Sequence, residues 1–250
     1  MLFYTLTISA FSFVAFGLSA NGEFTLPFPT CKRNSPDISN CLVQAIQEAW
    51  PLICKGIPEL DFPPMDPIFI KNGSAKLNLA DLHGKLIFKN MTIIGLSKMR
   101  FYNVTAHLNG DDPRLQIYGM VPSVYIETIA KVNGGINVFR IFGEDYFNET
   151  LTDVRGPWDL SGPVINDTWI IKHFRVLPSI GNLNVYFDTL IKTQGKEFND
   201  FIVNLVNQFW PTFYRHYQSI LPIVADLYEH WLIEFPNKIF SKIPFSEIFP

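Results

Sequence analysis

Three cysteines and five histidines are the residues of this 250-residue chain best equipped for chemistry, and their spacing gives them little to do together. His83, His107, His173, His216 and His230 stand apart in sequence and read as surface or hydrogen-bonded structural residues rather than as parts of a triad. No Gly-x-Ser-x-Gly elbow presents a serine nucleophile, no His-Glu-x-x-His sets a base beside a metal, and no glycine-rich loop cradles a phosphate. The adjacent acids Asp111-Asp112 and Glu144-Asp145 lie beside turn residues, where solvated loops explain them better than general acid-base work. A metal site needs more ligands at short spacing than this chain offers, since it lacks a Cys-x-x-Cys pair. Neither metal, cofactor nor catalytic residue is expected.

The cysteines point instead to an oxidising compartment. Met1–Ala20 carries no charged side chain, is rich in Leu, Phe, Val, Ile and Ala, and ends in small residues, which predicts a cleaved signal peptide ahead of one domain over 21–250. Asn72, Asn90, Asn103, Asn148 and Asn166 each open an Asn-x-Ser/Thr sequon, the acceptor pattern of secreted glycoproteins. In such a compartment a Cys31–Cys41 bridge would close a loop of about ten residues and pin the entry to the element that follows. Cys54, between Ile53 and Lys55, is then left as a buried thiol behaving as a small hydrophobe. A net charge of −3 gives no basic face for nucleic acid or an anionic membrane, so neither partner is expected.

Three textures would have to position whatever this chain binds. From Asp37 to Leu52, Ile38, Leu42, Ala45, Ile46, Ala49 and Leu52 recur at three- and four-residue steps with Gln44, Gln47 and Glu48 opposite, an amphipathic helix capped by Ser35 or Asp37 and ended by Gly56 and Pro58. Between about 68 and 192, short segments rich in Ile, Val, Leu, Phe and Tyr alternate with polar residues. They run over 75–81, 85–94, 99–108, 114–129, 135–142, 149–159, 168–176 and 183–191. Asn109-Gly110-Asp111-Asp112-Pro113 and Asn133-Gly134-Gly135 read as turns, and the whole predicts one curved antiparallel sheet. After Gly195 the helical period returns and lasts to about Trp231, interrupted by Pro211 and Pro222; the tail over 235–250 reads as a last strand or a capping segment. The fold class is α+β: a long helix wrapped by a strongly curved antiparallel sheet.

The aromatic load, 23 Phe with 9 Tyr and 5 Trp, is high for such a chain. A thin sheet around one helix does not easily close-pack that volume, and incomplete packing leaves an apolar cavity.

The small cysteine loop, the helix behind it, the run Gly56-Ile57-Pro58-Glu59-Leu60-Asp61-Phe62-Pro63-Pro64-Met65-Asp66-Pro67, the Gly119-x-x-Pro122 strand segment and the late Phe-rich helix together resemble the insect takeout / juvenile-hormone-binding family over about residues 28–249. That resemblance implies a tubular lipid-binding fold enclosing an elongated apolar tunnel. It also implies a secreted, monomeric, non-catalytic carrier of a small lipophilic ligand, without stable membrane insertion and with any receptor left open. Takeout members are linked to feeding, circadian output and chemosensory or mating behaviour. Hormone-binding members from moths carry a second disulfide deep in the chain, whereas no cysteine follows Cys54 here. The chain therefore sits nearer the takeout branch, and juvenile hormone is not singled out as the ligand. Within the implied tunnel, apolarity and phase nominate Ile46, Leu77, Phe88, Tyr102, Tyr118, Val124, Phe139, Phe174, Phe187, Phe201, Leu205 and Phe209. Two other classes stay open at this stage: a lipid-acting hydrolase, which needs a Ser/His/Asp cluster assembled in space, and a membrane-engaging defence protein, which needs a basic tip.

Overall fold

Helix α1, Ile38–Lys55, buries Leu42, Ala45, Ala49, Trp50 and Cys54 along one stripe, as the three- and four-step spacing requires. The computed structural model to which it belongs describes residues 29–78, 82–136, 139–189, 191–192, 194–217 and 221–250; the leader expected over Met1–Ala20 lies outside them. Asp37 takes the N-cap position of α1 without a side-chain capping bond, and the Ser35 Oγ accepts the Asp37 N–H at 3.2 Å. Gly56 ends the helix at φ +85°, where a Cβ would come within 2.9 Å of the Pro64 nitrogen, so the chain turns there on a glycine.

Strands β1 (Ile68–Asn78), β2 (Leu82–Ile94), β3 (Arg100–His107), β4 (Arg114–Ile136) and β5 (Phe139–Ser161) follow, then the short pair β6 (Val164–Ile165) and β7 (Thr168–Trp169), and finally β8 (His173–Val176) and β9 (Asn182–Phe187). The main sheet runs β1-β2-β4-β5-β8, with β3 also on β4 and β9 also on β5, all antiparallel and strongly curled into a half-barrel. Its spine is the β4–β5 hairpin, paired from Arg114 opposite Ser161 to Ile136 opposite Phe139. At about 3.3 Å per residue that hairpin is roughly 70 Å long.

Two features differ from the sequence expectation here. Asn133-Gly134-Gly135 is not a turn but lies inside β4, and the segments 135–142 and 149–159 are largely parts of the one strand β5. The reason is close approach: a Cβ on Gly134 would fall 2.3 Å from the His83 carbonyl oxygen and 2.8 Å from the Gly84 Cα, so these glycines let β2 and β4 meet. Glu144 and Asp145 accordingly stand on β5 rather than on a loop, with Glu144 paired to Lys89 at 3.2 Å and Lys131 at 3.8 Å.

Midway along the spine, Pro122 faces Asp153, which holds φ +52°. A proline in a central strand cannot donate to the ladder and is found at such irregularities. The spine changes neighbours at this point. Toward Arg114 it is flanked by β3 and β8, and toward Ile136 by β2 and β9.

Helices α2 (Lys196–Tyr217) and α3 (Leu221–Phe240) carry the late helical period past Trp231, so residues 235–240, expected in a tail strand or cap, belong to α3. Pro222 falls in the first turn of α3, where the missing N–H has no partner to lose. The rest of the tail does cap: α4 (Phe245–Ile248) buries Phe245, and Ile243 before it and Phe249 after it are buried too.

Three stretches of backbone along the sheet meet a helix through one side-chain amide that imitates a neighbouring strand. Gln47 of α1 accepts the Phe101 N–H at 3.0 Å and donates to the Met99 carbonyl at 3.3 Å, covering β3. Asn207 of α2 treats Val185 of β9 the same way at 2.7 and 3.0 Å, and Asn237 of α3 treats Ile171 at 2.8 and 3.0 Å. Asn199, fully buried, accepts the Ile191 N–H at 2.9 Å. Edge groups left bare would cost stability and invite pairing with another chain. Gln47, expected on the polar side of α1, is thus half-buried and structural.

Candidate functional site

A cavity of about 150 Å³ lies where α1 crosses the inner face of the sheet. Leu42, Ala45, Ile46, Ala49 and Ile53 of α1 form one wall, Leu115, Ile117 and Leu160 of β4 and β5 the second, and Ile239 and Phe240 of α3 with Ile248 and Phe249 the third. Pro29 and Cys31 close it. Every lining side chain is apolar, so the cavity offers an occupant no hydrogen bond and takes only what leaves water willingly. An apolar space of this size holds a benzene-sized guest, below the roughly 300 to 1,000 Å³ of a whole ligand site. It can therefore house one end of an elongated lipophile.

Tight packing surrounds it. Trp50 meets Phe101 and Trp158 edge-on at 5.2 and 5.4 Å, and its indole N–H donates to the Leu96 carbonyl at 2.7 Å. Trp169, 1% exposed, is ringed by Phe240, Phe245 and Phe249 within 6.0 Å and donates to the Gly162 carbonyl at 2.8 Å. The Cys31–Cys41 disulfide forms as expected and ties the chain entering α1 to the cavity rim, where the Arg33 N–H donates to the Pro250 carbonyl at 3.0 Å. Cys54 is buried beneath, its thiol pushed up to about 12 by burial with the Asp66 charge adding to it, so it is no nucleophile. The Gly56–Pro64 run buries Ile57, Leu60 and Phe62 as a small cluster that receives the last turns of α3, with Phe62 and Phe235 rings 5.8 Å apart. Arg114 pairs with Asp159, and Glu229 of α3 accepts the Phe174 N–H at 3.1 Å and lies 3.9 Å from the Arg175 guanidinium.

The sequence profile of the haemolymph juvenile hormone binding protein family matches residues 10–250. The chain belongs to that family. No curated protein matches it in sequence. The crystal structure of Takeout 1 from Epiphyas postvittana superposes with a TM-score of 0.71 at 18% identity, covering 88% of this chain and 98% of that one. At that identity the likeness speaks for the fold. Juvenile-hormone-binding and takeout proteins form a family of carriers of hydrophobic ligands.

Of the family-nominated positions, Ile46 borders the cavity. Val124 and Phe174 are buried in the main core around it, and Phe88 is buried on β2 with its ring over Gly73. Phe187 is buried near the other end of the spine with Ala130, beside Leu86 and Phe147. Tyr102 is 58% exposed and faces Tyr118 at 6.5 Å, away from the cavity. Phe201 and Phe209 of α2 are 57% and 46% exposed, and Leu205 is half-buried. The side chains of Leu77 and Phe139 lie outside the described residues. Cavity residues absent from the nominated set, such as Leu42, Ala45, Leu115 and Ile117, carried a signal: they sit in phase with Ile46 on α1 and with each other on β4. Asn72, Asn90, Asn103 and Asn166 are exposed and Asn148 is half-buried. Among the described residues, no three His, Cys, Asp or Glu side chains gather as a metal site, and no helix is long and apolar enough to cross a membrane.

Proposed function

We propose that this chain is a secreted, non-catalytic carrier that takes a small lipophilic ligand into the interior of its half-barrel, with the apolar end of the ligand in the cavity beneath α1. The observation that carries the reading is the all-apolar lining of that cavity in a member of a hydrophobic-ligand-binding family. An isoprenoid or acyl chain of roughly 20 heavy atoms would gain on the order of 6 to 10 kcal/mol, giving micromolar affinity or somewhat better. That is enough to move an insoluble signal through an aqueous fluid. A leader over Met1–Ala20, glycans on sequon asparagines and a monomeric state complete the reading.

Secretion from insect cells, purification, organic extraction and mass spectrometry of the extract test it, with an unrelated secreted glycoprotein as control. A stoichiometric isoprenoid or acyl lipid is expected. No enrichment over the control, together with failure to bind apolar probes, would remove the carrier reading.

A further inference from the structure

Glu149 of β5 is the anomaly of the inner face. Along β5, Tyr146, Asn148 and Thr150 point outward: Tyr146 shares a hydrogen-bonded cluster with Tyr125 and Glu127, its hydroxyl 3.0 Å from that of Tyr125 and 2.8 Å from the Glu127 carboxylate. The strand period then turns Phe147, Glu149 and Leu151 inward, and Phe147 indeed packs on the Ala130–Phe187 cluster and Leu151 on the main core. Across the ladder Glu149 faces Ile126 of β4 and buried Val185 of β9. The half-buried Glu149 side chain thus has Ile126, Phe147, Leu151 and Val185 as its same-face neighbours, with no cation, hydrogen-bond donor or ion-pair partner among the described residues.

A charged group among apolar side chains is costly unless paired, and nature rarely leaves one so without a use. Among the described residues no sealed side-chain nitrogen or oxygen lacks a partner. Glu149 lacks one, so its carboxyl is not sealed, in keeping with a residue that is half-buried on the inner face. Burial holds that carboxyl above its ordinary range, because a charge beside apolar neighbours is disfavoured.

We propose that Glu149 is the polar anchor of the interior, binding the head of a lipophile that carries a hydrogen-bond donor, a primary alcohol or an amine, in preference to a free carboxylic acid. This rests on the carrier reading and adds the head-group class. Charged or neutral, a carboxyl accepts a hydrogen bond from a hydroxyl. Charged, it pairs with an ammonium in a low-dielectric setting where such bonds are strongest. A ligand carboxylate would instead bring like charge against it. Leu160 at the cavity and Glu149 are both on β5, about 35 Å apart along the strand, so a short ligand anchored at Glu149 occupies the β9 half of the interior and a long one reaches toward the cavity.

The test is competition of 1-hexadecanol, hexadecylamine and palmitic acid against an apolar fluorescent probe on the delipidated full chain at pH 7.4, with wild type, Glu149→Gln and Glu149→Leu. In wild type, alcohol and amine should bind about tenfold tighter than the acid. Glu149→Gln should keep the alcohol, lose the advantage of the amine and gain affinity for the acid, and Glu149→Leu should lose the ordering altogether while still binding the probe. Equal affinity of acid and alcohol in wild type, or an ordering unchanged in both variants, overturns the anchor and leaves the carrier standing. Binding of none of the three by wild type overturns both.

Discussion

The two halves of the β4–β5 spine share one hairpin and one alternation, yet among the described residues their buried clusters differ in size and in the elements that cover them. Toward Arg114 the inner face is covered by α1, the last turns of α3 and α4, and is stapled by Cys31–Cys41; Val104, Val121, Trp169 and Ile171 there are at most 1% exposed. Toward Ile136 the cover is α2, and the described buried cluster is Ala130 with Phe187, flanked by half-buried Leu86, Val132, Ile202 and Val203. The exposed faces follow suit, with Phe198, Phe201 and Phe209 on α2. Glu149 lies in this second half. The difference teaches that one continuous ladder can carry a disulfide-stapled end under α1 and a differently covered end under α2, an arrangement suited to a long ligand with a distinct head.

A matched pair of truncations would break this contrast most decisively. Phe174 and Phe187 are each 6% exposed, but Phe174 packs into the main core beside Trp158 at 6.0 Å and Phe187 into the small described cluster with Ala130. Phe174→Ala should cost about 3 to 5 kcal/mol in denaturant unfolding, and Phe187→Ala measurably less because its surroundings can relax. Equal costs would erase the contrast. Cys31→Ala with Cys41→Ala, freeing a loop with a sequence separation of 10, should cost about 2 to 3 kcal/mol and lower the melting temperature without altering selectivity at the far end. Gln47→Ala strips the Phe101 N–H and Met99 carbonyl of their cover and should cost roughly 1 to 2 kcal/mol, which hydrogen exchange at Phe101 would localise to β3.

A pH series on wild type and Glu149→Gln sharpens the other end. Because burial raises the folded-state Glu149 carboxyl, the unfolded chain releases that proton first. Stability contributed by this group is therefore present below the ordinary carboxylate range and falls as pH rises through the raised one. The difference between wild type and Glu149→Gln should move in that direction; a flat difference would mean the carboxyl is solvated. Least of all, Phe201→Ser on the exposed face of α2 should stay within about 0.5 kcal/mol of wild type.

How much of this was legible in the residues follows the range of the forces involved. Local periodicity finds α1, the alternating strands and the late helix, because amphipathic spacing is written in neighbouring residues. It fails at Gly134, whose glycine serves the close approach of Gly84 on β2, 50 positions earlier in the chain, rather than a turn. It fails again at Gln47, Asn207 and Asn237, which look like solvated polar positions until a sheet edge is laid beside them. For the site, Ile46 was legible because helix phase places it with Leu42 and Ala49. Phase alone does not say whether a face is covered, which is why Tyr102, Phe201 and Phe209 share the pattern of wall residues and yet stand in solvent. Glu149 was readable in principle, one position out of step with Asn148 and Thr150, but a polar residue in an apolar phase becomes informative only when the strand is known to be single and continuous.

The most direct test of the account is saturation binding of a polarity-sensitive apolar probe to the delipidated full chain, followed by displacement with 1-hexadecanol. The account predicts one saturable site per chain and complete displacement at micromolar ligand. A signal that rises linearly without saturating, or that hexadecanol leaves untouched, would contradict a ligand-holding interior.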